Sequence, residues 1–373
     1  MAQVFPEIKK RFGFGAMRLP MKDGKIDTAQ VDRMVDLFID NGFNYFDTAH
    51  GYHDGLSELT LKQCLTSRHT RDEYLLTNKL SEEYFKKESD IRPFFEQQLE
   101  ACGVDYFDFY LMHAQDRRNY KKYQSCHAYE TASELKKEGK IHHLGISFHD
   151  TAEILEQILS DHPEVEIVQI QFNYVDYDDH AIQSGRLLEV CEKHGKPVIV
   201  MEPVKGGSLA NLPEAAKQVY DALGPMSYAS YAIRYAAGFD QVAMILSGMS
   251  SLEQMADNIS FMKDFKPLSE AEQQAVAEVK DIFKGMNLIP CTSCHYCIEE
   301  NHCPKDILIP DMFACLNAKK LFNDWNQGVF YRNIAAEGHG KAGDCIKCGG
   351  CERVCPQHLQ IRDLLIEVAK TFE

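Results

Sequence analysis

Positive charge is the first thing this chain is short of. Its 373 residues carry 40 Lys and Arg against 56 Asp and Glu, a formal net charge of −16. Phosphate contacts need a basic surface, so nucleic acid is not expected as a partner. Long apolar runs are missing too. No stretch approaches the roughly 18 residues of a membrane helix, and "MAQVFPEIKKRF" holds no apolar signal segment. The expectation is a cytoplasmic protein with no membrane partner. Cysteine is scarce over residues 1–285, where Cys64, Cys102, Cys126 and Cys191 stand alone. A reducing compartment disfavours structural disulfides, so thiols that do cluster are read as metal or redox ligands. A Gly-rich dinucleotide turn after the first apparent strand is also missing, which disfavours a doubly wound open sheet.

What is present suits a large core: 45% hydrophobic and 26% charged residues. Short apolar runs alternate with amphipathic ones. "FNYFDTAH" (43–50), "YLLTNKL" (74–80), "YFDFYLMH" (106–113), "IHHLGISFH" (141–149), "EIVQIQFNY" (166–174), "KPVIVMEPV" (196–204) and "VAMILSGM" (242–249) read as strands. Between them, stretches such as "DTAQVDRMVDLFIDNG" (27–42) have an Asp cap, helical apolar spacing and an Asn-Gly stop. This alternation implies a parallel α/β fold, one strand short of a (β/α)8 barrel. The missing strand is expected as a weak seventh one around residues 212–229. "RFGFGAMRLP" (11–20) reads as a hairpin capping the barrel floor. Cysteine density rises after residue 285, and the boundary is set there: a barrel over 1–285 and a second domain over 286–373.

Barrel chemistry sits where strands end, at the C-terminal mouth. Asp47, Lys79 and His113 each close a candidate strand, and Tyr52 lies in the loop after the first. Singly, these are ordinary caps, surface charges or packed rings. Together they suit carbonyl reduction. Tyrosine, with a reference pKa of about 10, is too weak an acid near neutrality without help. A nearby ammonium stabilises phenolate, an aspartate pins that lysine, and a histidine orients the substrate oxygen.

"FDTAHGYHDGLSE" (46–58), "LLTNKL" (75–80) and "YLMHAQD" (110–116) resemble the motifs of the aldo/keto reductase family, with the Asp-to-Tyr interval of five residues preserved. The resemblance covers about residues 8–265. It implies a (β/α)8 barrel with NAD(P)H extended across the mouth, Tyr52 as general acid, Lys79 and Asp47 tuning it, and His113 orienting the carbonyl. It also implies that Ser147 and Gln169 hold the nicotinamide carboxamide and that Asn258 contacts adenine. "MEPVKGGSL" (201–209), with Gly206, resembles the loop after the sixth strand. There Glu202 replaces the aromatic that many members stack on nicotinamide, and Phe148 replaces the Asn that often follows the serine. Gly248 and Gln254 stand where NADP-preferring members often carry Lys and Arg, so the choice of NADP or NAD stays open.

Nine cysteines fall between Cys291 and Cys355. Cys291, Cys294 and Cys297 form a triplet followed, after five residues, by Cys303-Pro304. Cys345, Cys348 and Cys351 form a second triplet followed, after three, by Cys355-Pro356. The second run has the spacing of bacterial [4Fe–4S] ferredoxins, whose fourth cysteine serves the other cluster. Zinc sites usually pair two separated CxxC units or use histidine, which fits less well. The tail resembles the ferredoxin-type domain fused to a subset of aldo/keto reductases. That resemblance implies a mainly helical domain with two [4Fe–4S] clusters. One would be held by Cys291, Cys294, Cys297 and Cys355, the other by Cys345, Cys348, Cys351 and Cys303. On that reading the longer gap before Cys303 lengthens the link between clusters. His302 reads as a bystander, and Cys315, in "LIPDMFACLNAKKLF" (308–322), as a hydrophobe on a helix.

Hydride carriers deliver two electrons and iron–sulfur clusters one, so a flavin, a one-electron substrate step or a structural role for the clusters is needed to join the halves. The leading expectation is an NAD(P)H-linked oxidoreductase acting on a small carbonyl or alcohol, its clusters serving a ferredoxin or other redox partner. A ferredoxin-linked, flavin-mediated reductase and a non-catalytic electron-carrier subunit are the alternatives. The basic residues of "AQDRRNYKKYQ" (114–124) read either as a border for an anionic substrate or as a solvated loop.

Overall fold

A computed structural model describes residues 4–179, 182–301, 303–322, 327–336 and 338–373; His302 lies outside them. Contacts divide the chain into two units. The first comprises Met1–Asp178, Gln183–Val204 and Ala229–Ser269; the second comprises Asp179–Ile182, Lys205–Tyr228 and Glu270–Glu373.

In the first unit, eight parallel strands close into a barrel in sequential order. They are Phe12–Gly15, Tyr45–Asp47, Leu75–Leu80, Phe107–Gln115, Ile141–Phe148, Ile167–Gln171, Val198–Met201 and Val242–Ser247. Two expectations are corrected here. "FGFG" within 11–20 is no hairpin. It is the first barrel strand, pairing Phe12 with Ile245 of the eighth and Gly13 with Tyr45 of the second. The segment around 212–229 holds no strand; it contains the helix Glu214–Asp221 and the start of Tyr228–Ala237. Glycine hid the first strand, because it is depleted in strands and leaves no side-chain alternation to read. It is needed there because a Cβ on Gly13 would come within 2.8 Å of Leu246 Cδ2 and 2.9 Å of Tyr45 Cδ1. All later strands therefore move up by one in number.

The period of two assigns each side chain to a face. Tyr45, Leu75, Phe109, Leu111, Ile167, Ile199, Met244 and Leu246 fill the barrel interior. Leu76, Leu80, Tyr110, Met112, Ile146, Val168, Ile170 and Val200 point the other way, into the core shared with the helices. Asp47, Lys79, His113, Ser147 and Gln169 share parity with the interior set and stand at the strands' C-terminal ends. One register rule thus aims five polar side chains at the mouth. The helix Thr28–Asp40 shows how the outer layer is specified: Asp27 accepts from Gln30 N, and Val31, Met34, Val35 and Phe38 are buried along one face.

The second unit is mainly helical. Ile307, Ile309, Met312, Phe313, Leu316, Tyr331, Ile361, Leu365 and Val368 form its core, drawn largely from the helices Ile309–Phe322, Gln327–Ala336 and Ile361–Phe372. Cys315 is buried in that core, as expected of a hydrophobe. No described helix is long and apolar enough to cross a membrane.

Candidate active site and cysteine centres

Lys79 ends in the barrel mouth with 1% of its surface exposed. Its Nζ donates to Asp47 Oδ1 at 2.7 Å, Thr48 O at 2.8 Å and Tyr52 OH at 3.2 Å. An ammonium has three protons, so these partners use all of them. The Tyr52 oxygen therefore accepts from Lys79, and its own proton is left for another acceptor. Burial holds the Lys79 ammonium below and the Asp47 carboxyl above their ordinary ranges, and each charge opposes that shift in the other. Burial, reinforced by Asp47 and Glu202, raises Tyr52 well above the usual phenol range. Among the described residues, buried Asp47 Oδ2 has no hydrogen-bond partner.

Tyr52 is placed by its loop. His53, Asp54 and Gly55 all take positive φ values, of 52°, 54° and 84°. Thr48 Oγ1 and Ser57 Oγ lie 2.8 Å apart, Ser57 Oγ donates to Ala16 O, and Leu19 N donates to His53 Nε2. His113 faces this loop, its ring 6.2 Å from that of Tyr52 and nearly perpendicular. Burial, with Lys79 and His149 nearby, holds the His113 imidazolium well below its usual range, so the ring is neutral near pH 7. Its Nδ1 lies 2.6 Å from Ser81 Oγ, and Tyr123 OH donates to its carbonyl.

Sequence reasoning overlooked what lies behind the tetrad. Glu58 is fully buried; it meets His50 Nδ1 at 2.7 Å, Asn78 Nδ2 at 2.8 Å and Gln98 Nε2 at 3.3 Å. Asn78 Oδ1 receives the Lys79 N–H, and Tyr110 OH donates to Gln98 Oε1. Glu58 and Asn78 stand inside the motifs themselves; for Asn78, a polar residue on the core-facing side of the strand Leu75–Leu80 was the available signal, while Glu58 lies on the helix Leu56–Leu61.

The expected cofactor contacts fall in several places. Ser147 and Gln169 are buried neighbours in register on the fifth and sixth strands. Ser147 Oγ accepts from Ala114 N at 2.8 Å. Phe148, of opposite parity, packs into the outer core. Asn258 donates to Ser247 Oγ, while Gln254 accepts from Ser250 N at the start of the helix Leu252–Met262. The Arg18 side chain lies against Gly248, where a Cβ would sit 3.2 Å away, and pairs with Glu202 at 3.1 Å. Glu202 follows the seventh strand, not the sixth. Gly206 takes a φ of 63° in the turn Lys205–Gly207, within the second unit. Of the basic loop, Arg117 is paired with Asp150 and Lys122 with Glu82, which weakens the case for an anionic substrate.

In the second unit, Cys291, Cys294 and Cys297 line one cavity, and Cys355 lines it with them. Burial raises all four thiols, and the nearby Cys355 adds to the rise at Cys291, Cys294 and Cys297. Cys345, Cys348 and Cys351 are mutual neighbours on the other loop, with Cys348 exposed. Gly350, inside that second triplet, packs so tightly on Asn301 that a Cβ would overlap its Oδ1. Asn301 precedes Cys303 by two residues. None of the thirteen cysteines is joined in a disulfide. Among the described residues no group of three or more His, Cys, Asp or Glu is disposed to hold a single metal ion. Soft thiolate sets of four around a shared cavity are the donor chemistry that a [4Fe–4S] cluster takes.

Two family models match: "Aldo/keto reductase family" over residues 11–281 and "4Fe-4S dicluster domain" over residues 290–360. Among similar proteins, an NADH-specific methylglyoxal reductase of Escherichia coli is 27% identical over 185 residues, 45% of this chain and 54% of that protein. An L-galactose dehydrogenase of Arabidopsis thaliana is 24% identical over 73% of this chain and 90% of its own length. A solved aldo-keto reductase of Bacillus halodurans superposes with a TM-score of 0.60 at 24% identity, covering 72% of this chain and 91% of that one. These likenesses, with the closed barrel and its inward polar rim, make the chain a member of the aldo/keto reductase family, an oxidoreductase that carries a 4Fe–4S domain after its barrel.

Proposed function

We propose that this protein reduces a small carbonyl compound, or oxidises the matching alcohol, with NAD(P)H, and that its clusters exchange electrons with an external redox partner such as a ferredoxin. The observation that carries this reading is Lys79 Nζ bridging Asp47 Oδ1 and Tyr52 OH. Bound nicotinamide would supply the hydride, and the clusters single electrons. Tyr52 keeps its proton at neutral pH and gives it to the developing alkoxide. Lys79 stabilises the phenolate left behind, Asp47 holds Lys79 in place, and neutral His113 orients the substrate oxygen. Ser147, Gln169 and Asn258 are assigned to the cofactor, with Glu202, Gly248 and Gln254 beside them.

Two [4Fe–4S] clusters are assigned with crossed ligands: Cys291, Cys294, Cys297 and Cys355 for one, Cys345, Cys348, Cys351 and Cys303 for the other. The shared cavity of the first set and the Gly350–Asn301 contact support that crossing. The domain boundary is assigned near residue 285.

A second reading, in which clusters and a flavin supply the electrons, is favoured by Glu202 standing in place of a stacking aromatic. Anaerobic assays separate the two. NADH or NADPH oxidation that depends on a carbonyl and falls ~10²–10⁴-fold in Tyr52→Phe supports the first. Turnover with reduced ferredoxin alone would overturn it.

A further inference from the structure

We propose that Ser81 is a positioning residue that locks His113 in the tautomer protonated at Nε2. The inference rests on the reading of His113 as the group that meets the substrate oxygen. Ser81 directly follows the third strand with extended φ and ψ of −96° and 141°, and is 4% exposed. Leu80 and Met112 are register partners, so the next pair along the ladder is Ser81 and His113. Both have the inward parity of Lys79 and Leu111. The sheet itself, not a flexible tether, brings Ser81 Oγ to 2.6 Å from His113 Nδ1.

A neutral imidazole has one donor and one acceptor nitrogen, and a hydroxyl has one proton. If Nδ1 were protonated and donated to Ser81 Oγ, the serine proton would need another acceptor. Among the described residues the hydroxyl has His113 Nδ1 as its single side-chain partner. If Ser81 donates to Nδ1, both atoms are satisfied and the remaining proton sits on Nε2. That nitrogen then presents N–H to a carbonyl oxygen. The other tautomer would present a lone pair to an oxygen lone pair and repel it. Tyr52 meets the ring edge-on and Lys79 and His149 act on it through charge, while Ser81 hydrogen-bonds its Nδ1, so the serine sets the tautomer.

The test uses the full-length holoprotein with clusters oxidised and histidine labelled with nitrogen-15. Long-range proton–nitrogen spectra of the wild type are expected to show His113 as one neutral tautomer with Nε2 protonated. Ser81→Ala is expected to show mixed tautomers, with kcat for carbonyl reduction lower by about 10-fold and KM nearly unchanged, the effect of one lost hydrogen bond. Its acid limb is expected to move upward, because the hydroxyl stabilises the neutral ring. Ser81→Thr, which keeps the hydroxyl, restores all three readouts. A wild-type ring protonated at Nδ1, or an unchanged tautomer in Ser81→Ala, overturns the proposal. If His113→Ala leaves kcat intact, the role of His113 fails, while the spectra still decide the tautomer.

Discussion

Gly350 packs so closely against Asn301 that no side chain fits between them. The chain just before Cys303 therefore lies on the second cysteine loop, while Cys355 lines the cavity of the first. Gly350→Ala puts a Cβ into overlap with Asn301 Oδ1, so the amide must turn aside and the contact tying the two loops is lost, costing about 1–3 kcal/mol. The expected result is a protein that retains the barrel but loses roughly half its iron, read by metal analysis after anaerobic purification.

Crossed ligation also predicts how serine substitutions combine. Cys291→Ser with Cys355→Ser strikes one ligand set twice, so the pair is expected to lose no more iron than either single change. Cys291→Ser with Cys303→Ser strikes both sets and is expected to lose nearly all of it. Uncrossed ligation predicts the reverse pattern. Iron and sulfide content of the four proteins decides between them.

The tetrad's dependence on Lys79 gives a kinetic prediction. Lys79→Met removes the ammonium that Tyr52 OH accepts from and leaves the buried Asp47 carboxylate unpaired. Carbonyl reduction is expected to fall by about 10²–10⁴-fold. Asp47→Asn keeps a hydrogen-bond acceptor for Lys79 and is expected to lose less. Steady-state kinetics on both, with cofactor binding followed by fluorescence, checks that the loss lies in turnover.

The tetrad was legible in the sequence because Asp47, Lys79 and His113 lie at the ends of strands whose apolar alternation is plain, and Tyr52 follows the first of them in its loop. The first strand was not, because "FGFG" carries glycine where alternation would show, and its place in the ladder depends on Leu246 and Tyr45 from distant segments. Ser81 and Gln98 were illegible for another reason. A serine past a strand end and a glutamine in a helix are unremarkable until pairing of the third and fourth strands, and packing of the helix Glu88–Cys102, supply their partners. The cysteine spacing announced iron–sulfur chemistry by itself, whereas the partner of each fourth cysteine is a property of the folded loops.

Glu58 tests whether the layer behind Lys79 is structural. Glu58→Ala removes the shared acceptor of His50, Asn78 and Gln98 in a fully buried site. Breaking such a buried charged network costs about 3–5 kcal/mol. Glu58→Gln keeps an acceptor oxygen and is expected to be milder. Denaturant unfolding of the barrel, followed by circular dichroism, should rank wild type above Gln above Ala.

The depressed pKa of His113 makes a signed pH prediction. Burial, with Lys79 and His149, makes the folded protein bind that proton less readily than the unfolded chain, where imidazole titrates near 6.5. The neutral ring's contribution to stability is therefore fully present above about pH 6.5 and is lost as pH falls below it. Reduction should stay level from neutral pH down through the ordinary imidazole range and decline only at lower pH. His50 and His143 shift the opposite way because of Glu58, and of Glu166 with Glu7, so they mask this trend in the wild type alone. The difference between wild type and His113→Asn isolates it. The wild type's stability relative to the variant is expected to fall as pH drops from 7 to 5. A difference that is flat or rises over that window would show that His113 is not held neutral.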